Sequence, residues 1–332
     1  MTVRRVRAWF EIARISNLPT VVSNGLAGAG LALAASADPL ADGAPRTIGF
    51  PHAWSICAPV AAYVGGMILN DAFDARIDAR ERPSRPIPSG RIARSHAFAA
   101  GFALIALSIA AAVKSQSQAA VALTALLACA IVAYNAAHAR SKASVLLLAL
   151  CRALACLAPM LAFASDADGE VSSGSPWRVL ARSGAFVLPV LLALWTLGLS
   201  IAARGEVAAA HAPRRAPSRR TALHATLIAL APFAAMLALE LCTNAGAGAD
   251  QGSQRIIRMI AIAAITAALA AFVRVRMAWD PRTTPAAVGT WIACLALVDA
   301  MALAAVGQNG LAMVSVVLAF LTRRLQRSIA GS

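Results

Sequence analysis

The sequence predicts an all-α fold, a multi-pass transmembrane helical bundle of nine to ten spans. Two observations carry that expectation. Of the 332 residues, 59% are hydrophobic and only 14% are charged, which is more apolar surface than a soluble domain of this size could bury. The apolar residues also fall in windows of about 20, the length at which a helix crosses a bilayer core. Lys and Arg outnumber Asp and Glu by 30 to 15, but the basic residues sit in short gaps between apolar windows instead of forming one patch. The charge therefore reads as membrane topology, not as a nucleic-acid surface, and an ordinary soluble enzyme is excluded.

Taken in order, the apolar segments lie near 18–36, 52–70, 95–113, 117–135, 143–164, 180–201, 221–242, 255–275 and 286–304, with a shorter run at 311–322, all in one integral membrane domain over 1–332. Ahead of the first span, MTVRRVRAWFEIAR is basic and leads straight into apolar sequence without a small-residue cleavage site, so it reads as a cytoplasmic flank with nothing removed. Alanine and glycine are plentiful in the spans, as closely packed membrane helices require where backbones meet. The six cysteines are dispersed through apolar stretches with no CxxC pair, so they read as small core residues.

Orientation follows from the basic residues. A cytoplasmic N-terminus places Arg4, Arg5, Arg7 and Arg14, the group from Arg76 to Arg94, Arg140 with Lys142, and the group from Arg204 to Arg220 on the inside. The opposite loops keep only Arg46, Lys114, Arg178, Arg182, Arg255 and Arg258, and the positive-inside rule selects this arrangement in the cell (inner) membrane. The basic tail LTRRLQR returns to the cytoplasm if 311–322 is a tenth crossing, while an interfacial or re-entrant last segment remains the alternative.

Three of the 15 acidic residues fall together at the end of the second span, in Asn70-Asp71-Ala-Phe-Asp74-Ala-Arg-Ile-Asp78. At helical pitch Asp71, Asp74 and Asp78 are spaced i, i+3, i+7 and share a face, with Asn70 beside Asp74. A bare face of carboxylates repels itself, and Mg²⁺ relieves that repulsion with one or two carboxylates, water and phosphate oxygens around it. The plainer reading is a solvated helix end whose aspartates pair with Arg76, Arg80 or Arg82. Position argues for the metal, because the acidic face continues a membrane helix and precedes the proline-broken, basic Glu81-Arg-Pro-Ser-Arg-Pro-Ile-Pro-Ser-Gly-Arg91. In that loop Arg82, Arg85 and Arg91 form a candidate clamp for an anionic substrate.

The run NDAFDARIDARERPSRPIPSG resembles the first aspartate-rich signature of the UbiA superfamily of intramembrane prenyltransferases, in which NDxxDxxxD precedes basic residues and prolines. Asn17-Leu-Pro-Thr20, opening the first span, resembles the family's start, and Tyr134 closes the fourth span ahead of His138, Arg140 and Lys142. The resemblance implies that Asn70, Asp71, Asp74 and Asp78 hold Mg²⁺ and the diphosphate of an isoprenoid donor. It further implies that Asn17, Asn24, Tyr134, Arg140, Lys142 and Arg152 bind substrate in and around an apolar tunnel for the prenyl tail.

The family's second aspartate-rich motif is altered. Its place reads Leu199-Ser-Ile-Ala-Ala-Arg204-Gly-Glu206-Val-Ala-Ala-Ala-His211, with no aspartate. The Arg-Gly-Glu-Val run resembles the branch encoded in bacterial Ebo gene clusters. There Glu206 is the remaining catalytic carboxylate, and Arg204 would bring positive charge to the diphosphate directly. Arg152 and Asp299 lie inside spans, where charges are expensive enough to be functional or mutually paired, with Asp299 read as a structural partner.

The function expected is transfer of an isoprenoid group from a prenyl diphosphate to an aromatic or lipid-like acceptor, with Mg²⁺ assisting departure of the diphosphate. The partners expected are the donor, that acceptor and the bilayer, and no nucleic acid. The rival reading is a non-catalytic or transport-related prenyl-lipid-binding protein with a degenerate second motif. A secondary transporter, which would need paired charges near the bilayer midplane, has only Arg152 and Asp299 to offer.

Overall fold

The computed structural model describes residues 3–35, 50–137, 141, 144–165, 176–211 and 284–329, and over 202–211 and 284–287 it describes the helical backbone alone. Among these residues all extended secondary structure is helical. The elements are α1 (Val3–Ile12), a 3₁₀ turn (Ile15–Asn17), α2 (Leu18–Ala35), α3 (Phe50–Glu81), α4 (Arg94–Lys114) and α5 (Gln118–Ala137). They continue with α6 (Ser144–Ser165), α7 (Pro176–Arg182), α8 (Val187–His211), α9 (Thr284–Ala305) and α10 (Asn309–Ser328).

Six described helical segments are long and apolar enough to cross a membrane: Ile15–Ala35, Pro51–Glu81, Arg94–Lys114, Gln118–Ala137, Ser144–Ala164 and Val288–Ala305. The described residues therefore support an all-helical bundle with six candidate crossings and do not confirm the nine to ten expected from the sequence. The segments expected at 221–242 and 255–275 lie outside the described residues.

Three departures from the expected layout have plain causes. The sixth span is broken into α7 and α8, because Gly184 sits at φ +71, a left-handed conformation that ends a right-handed helix. The N-terminal flank is itself a helix, and Ala8 and Ile12 of α1 are buried with Ala72, Ala75, Ile87 and Ile92 against the end of α3 and the loop after it. Cys156 and Cys294 are core residues, but Cys57 and Cys129 are exposed, so the cysteines are not uniformly interior. For an apolar thiol on an outer face of a membrane bundle, lipid is as good a neighbour as protein.

The helices approach closely where glycine permits. A Cβ on Gly28 of α2 would collide with the Cys156 carbonyl oxygen of α6, and one on Gly65 of α3 would lie 2.8 Å from the Gly101 carbonyl oxygen of α4. Both are small-residue contacts of the kind that bring membrane helices together. The largest core cluster joins α2, α6, α8 and α9, with Trp195 and Trp291 at 5.8 Å between ring centroids and the Trp195 indole N–H donating to the Trp291 carbonyl.

Polar and apolar residues are distributed as a bilayer demands. Phe102 and Leu107 on α4, Leu146 on α6 and Phe320 on α10 are exposed, Phe320 to 72%. Ser23, Asn24, Asn70, Asp71, Asn135 and Asp299 are buried. An apolar exterior around a polar interior suits lipid, since every buried polar group must find its partner inside the protein.

α10 runs antiparallel to α9. Gln326, near its end, donates to the Gly289 carbonyl near the start of α9 and to Asn17 at the start of α2. The basic tail is therefore part of this helix and lies at the same end of the bundle as α1 and the acidic end of α3.

Candidate functional site

α3 stays helical eleven residues past the expected end of the span, so the aspartate run is a continuation of the membrane helix. It stops at Glu81, before Pro83. The loop that follows is fixed by its own turns: Ser89 N–H donates to the Arg85 carbonyl, Gly90 N–H to Ile87 and Ile92 N–H to Pro86, while Ile87 and Ile92 are buried. That folding turns Arg85 inward, where it is buried beside two aspartates. Its Nη1 lies 2.8 Å from Asp78 Oδ2 and 3.6 Å from Asp71 Oδ1.

From the other side comes Arg14, whose Nη2 is 3.7 Å from the same Asp71 oxygen. Arg14 has φ +45, an uncommon left-handed backbone for a residue with a side chain. Its carbonyl accepts from the Asn17 N–H at 3.0 Å and from the Tyr63 hydroxyl at 3.3 Å, so two wall residues of the cavity hold the strained turn that aims this arginine.

Asp71 is 6% exposed, and its Oδ1 makes no hydrogen bond. A buried carboxylate normally requires direct donors. Here two guanidinium groups balance its charge from ion-pair distance and leave the oxygen without a hydrogen bond. Asn70, next in sequence, donates through Nδ2 to Asn135 Oδ1 at 3.2 Å, and Asn135 Nδ2 donates to the Gly66 carbonyl at 3.1 Å.

Of these groups, Arg14, Tyr63, Gly66, Asn70 and Asn135 line a cavity of about 220 Å³ between α2, α3, α5, α6, α8 and α9, while Asp71, Asp78 and Arg85 lie behind Arg14 and Asn70. Arg14, Asn17, Asn70, Asn135, Tyr63 and Tyr134 provide polar lining, while Val21, Leu127, Ile131, Leu199, Ile292 and Leu295 are apolar lining. Arg152 also faces it. Behind Arg152, its Nη1 donates to Asn24 Oδ1 at 2.7 Å and its Nη2 to Thr20 Oγ1 at 3.3 Å. Asn24 in turn donates to Asp299 Oδ2 at 2.7 Å, which also accepts from Ser23 at 2.7 Å.

The sequence-derived candidates are thus partly reassembled. Asn17, Asn70, Tyr134 and Arg152 line the cavity, and Asp71 lies outside the lining, paired with the lining residue Arg14. Asn24 is fully buried behind Arg152 instead of lining the cavity, because both ends of its amide are used between Arg152 and Asp299. Of the three loop arginines only Arg85 turns inward. Arg82 is exposed, and Arg91 is held outside by Glu11 at 3.1 Å and the Ser84 carbonyl at 2.7 Å.

Asp78 is committed to Arg85, and among the described residues no three carboxylate, imidazole or thiolate groups converge as a metal cage. Asp74 is half-buried. Arg204 and Glu206 belong to α8, which describes their backbone only, and Arg140 and Lys142 lie outside the described residues. Arg14, Tyr63 and Asn135 join the site without any signal in the sequence pattern, although Asn135 directly follows Tyr134.

Hard oxygen atoms fit Mg²⁺. The buried Asp71 Oδ1, which makes no hydrogen bond, and the Asn70 amide would supply a partial shell, the kind Mg²⁺ completes with waters and substrate phosphates instead of protein ligands.

Residues 22–288 match the UbiA prenyltransferase family. The chain belongs to that family. Among UbiA relatives, the digeranylgeranylglyceryl phosphate synthase of Ignicoccus hospitalis is 33% identical over 103 residues, covering 31% of this chain and 30% of that protein. The chain therefore spans under a third of the length of this curated relative.

The UbiA fold is matched over nearly the whole chain by a solved structure of digeranylgeranylglyceryl phosphate synthase, with TM-score 0.56, 15% identity and coverage of 97% and 99% of the two chains. A UbiA homolog from Archaeoglobus fulgidus, solved with GPP and Mg²⁺, gives TM-score 0.56 at 14% identity over 96% and 99%. At these identities the likeness is one of fold.

Proposed function

We propose that this UbiA-family protein transfers an isoprenoid group from a prenyl diphosphate to an aromatic or lipid-like acceptor, with Mg²⁺ as cofactor. The observation that carries the reading is the polar end of the cavity, where the lining residues Arg14 and Asn70 adjoin a buried Asp71 whose Oδ1 makes no hydrogen bond and pairs at 3.7 and 3.6 Å with Arg14 and Arg85, beside apolar walls. The GPP and Mg²⁺ held by the Archaeoglobus homolog support the donor and the metal, and the names of the curated relatives support a lipid-type acceptor.

In this reading Asn70, Asp71 and Asp74 hold Mg²⁺, and Asp78 anchors Arg85 in place of ligating the metal. When bound, Mg²⁺ supplies positive charge to the departing diphosphate. Arg14, Arg85 and Asn17 bind diphosphate oxygens, joined by Arg204, Arg140 and Lys142, with Glu206 as the carboxylate of the altered second motif. The apolar walls keep water from the allylic cation left when the C–O bond breaks, and the ring face of Tyr134 shields it. The acceptor supplies the electron pair, so the protein needs no nucleophile.

The Arg-Gly-Glu-Val run supports placement in the Ebo-cluster branch, and the basic residues near the N-terminus support a cytoplasmic N-terminus in the cell membrane. The test is binding of labelled GPP to the full-length protein in detergent, with and without Mg²⁺, comparing wild type with Asp71→Asn, Asp74→Asn and Glu206→Gln. Mg²⁺-dependent binding that falls in the two aspartate variants is expected. Absence of binding by wild type overturns the proposal.

A further inference from the structure

The amides of Asn135 and Asn70 form a chain whose polarity can be settled at one end by chemistry alone. The Gly66 carbonyl oxygen can only accept, so the Asn135 atom facing it at 3.1 Å is Nδ2. Asn135 then presents Oδ1 to Asn70 at 3.2 Å, and because that oxygen also only accepts, Asn70 must present Nδ2. The Asn70 oxygen is left as the uncommitted end of its amide, on a residue that lines the cavity and adjoins the Asp71 carboxylate.

Reversal of either amide would set oxygen against oxygen in one contact of this chain. It would also bring an N–H₂ group to the metal side of Asn70, where a cation repels it. Asn135 is on α5 and Gly66 is one helical turn before Asn70 on α3, so the packing of these two helices fixes the amide.

We propose that Asn135 is a positioning residue that holds the Asn70 amide with its carbonyl oxygen free for Mg²⁺. The inference rests on the diphosphate-site reading above and assigns to α5 a part in metal binding that no carboxylate on that helix supplies. Partners of metal ligands that orient them from behind are worth about 10- to 100-fold in metal affinity.

The experiment measures the Mg²⁺ concentration that half-saturates labelled GPP binding to the full-length protein. Asn135→Leu, matched in shape but unable to accept or donate, is expected to raise it about tenfold or more. Asn70→Ala raises it similarly, and the double variant is no worse than Asn70→Ala alone, because the effect of Asn135 on the metal passes through the Asn70 amide. At saturating Mg²⁺ the Asn135→Leu protein is expected to bind as much labelled GPP as wild type, which separates positioning from loss of fold.

An Asn135→Leu protein with wild-type Mg²⁺ dependence overturns the inference while leaving the diphosphate site intact. So does a double variant whose losses multiply, or an Asn135→Leu protein whose GPP-binding capacity stays reduced at saturating Mg²⁺. Wild-type protein that binds no GPP at any Mg²⁺ concentration removes the functional reading, and this inference with it.

Discussion

At the residue scale the site is organised by groups that hold others. Asp71 is the centre of the proposed site, because its Oδ1 makes no hydrogen bond and is the oxygen a cation would take up, with Arg14 and Arg85 at 3.7 and 3.6 Å. Asp71→Asn keeps the shape and removes the charge, and prenyl transfer should fall by about 10²–10³-fold, the usual loss when one preorganised electrostatic group is removed; steady-state turnover of GPP with and without Mg²⁺ checks it. Arg85 has a structural duty as well. Arg85→Met leaves Asp71 and Asp78 buried without their shared guanidinium, a loss of about 3–5 kcal/mol that a thermal melt in detergent would register. Gln326 works from further away. Its Oε1 accepts from Arg323 at 3.0 Å, so its Nε2 faces Asn17 Oδ1 at 2.8 Å and turns the Asn17 N–H₂ toward the Tyr63 hydroxyl in the cavity wall. Gln326→Leu should raise the KM for the donor by roughly tenfold with kcat little changed, since a mispositioned binding group costs mainly affinity when it acts alike on bound substrate and transition state.

At the element scale, close helix contacts and buried polar bridges define the bundle. α2 is its hub, touching α3, α6, α9 and α10, and its approach to α6 depends on the missing side chain at Gly28. Gly28→Ala forces its methyl against the Cys156 carbonyl, which is backbone and cannot swing aside, so a loss of about 1–3 kcal/mol is expected in the same thermal melt. The sequence could locate α2 through α6 because hydropathy averaged over 20 residues is insensitive to detail. The break between α7 and α8 escaped that average, because one glycine at φ +71 barely changes the apolar content of its window. The pairing of Arg152 and Asp299 was legible only as a need for partners. Which partners they take depends on the register of α2 between α6 and α9, and that register inserts Asn24 between the two charges.

At the scale of the whole molecule, the acidic motif could be read because helical spacing alone puts its aspartates on one face. Arg14 could not, because a left-handed turn ahead of α2 redirects a basic residue that the sequence assigns to topology. The same contacts join the chain's two ends: Arg91 pairs with Glu11 of α1, Arg14 with Asp71 at the end of α3, and Gln326 of α10 with Asn17. The N-terminal helix, the loop over 82–93 and the basic end of α10 therefore share one end of the bundle, whichever membrane face that is. The positive-inside rule assigns this end to the cytoplasm. Single cysteines placed at the exposed Ser89 and Gln118 in a cysteine-free background test the assignment, since Ser89 lies in that loop and Gln118 opens α5 at the opposite end of α4. A membrane-impermeant maleimide added to intact cells should label the cysteine at 118 and not the one at 89, and inverted vesicles should show the reverse. The opposite pattern would place Arg14, Asp71 and Arg85 on the outer face, away from a cytoplasmic supply of prenyl diphosphate, and would require the donor to be delivered there.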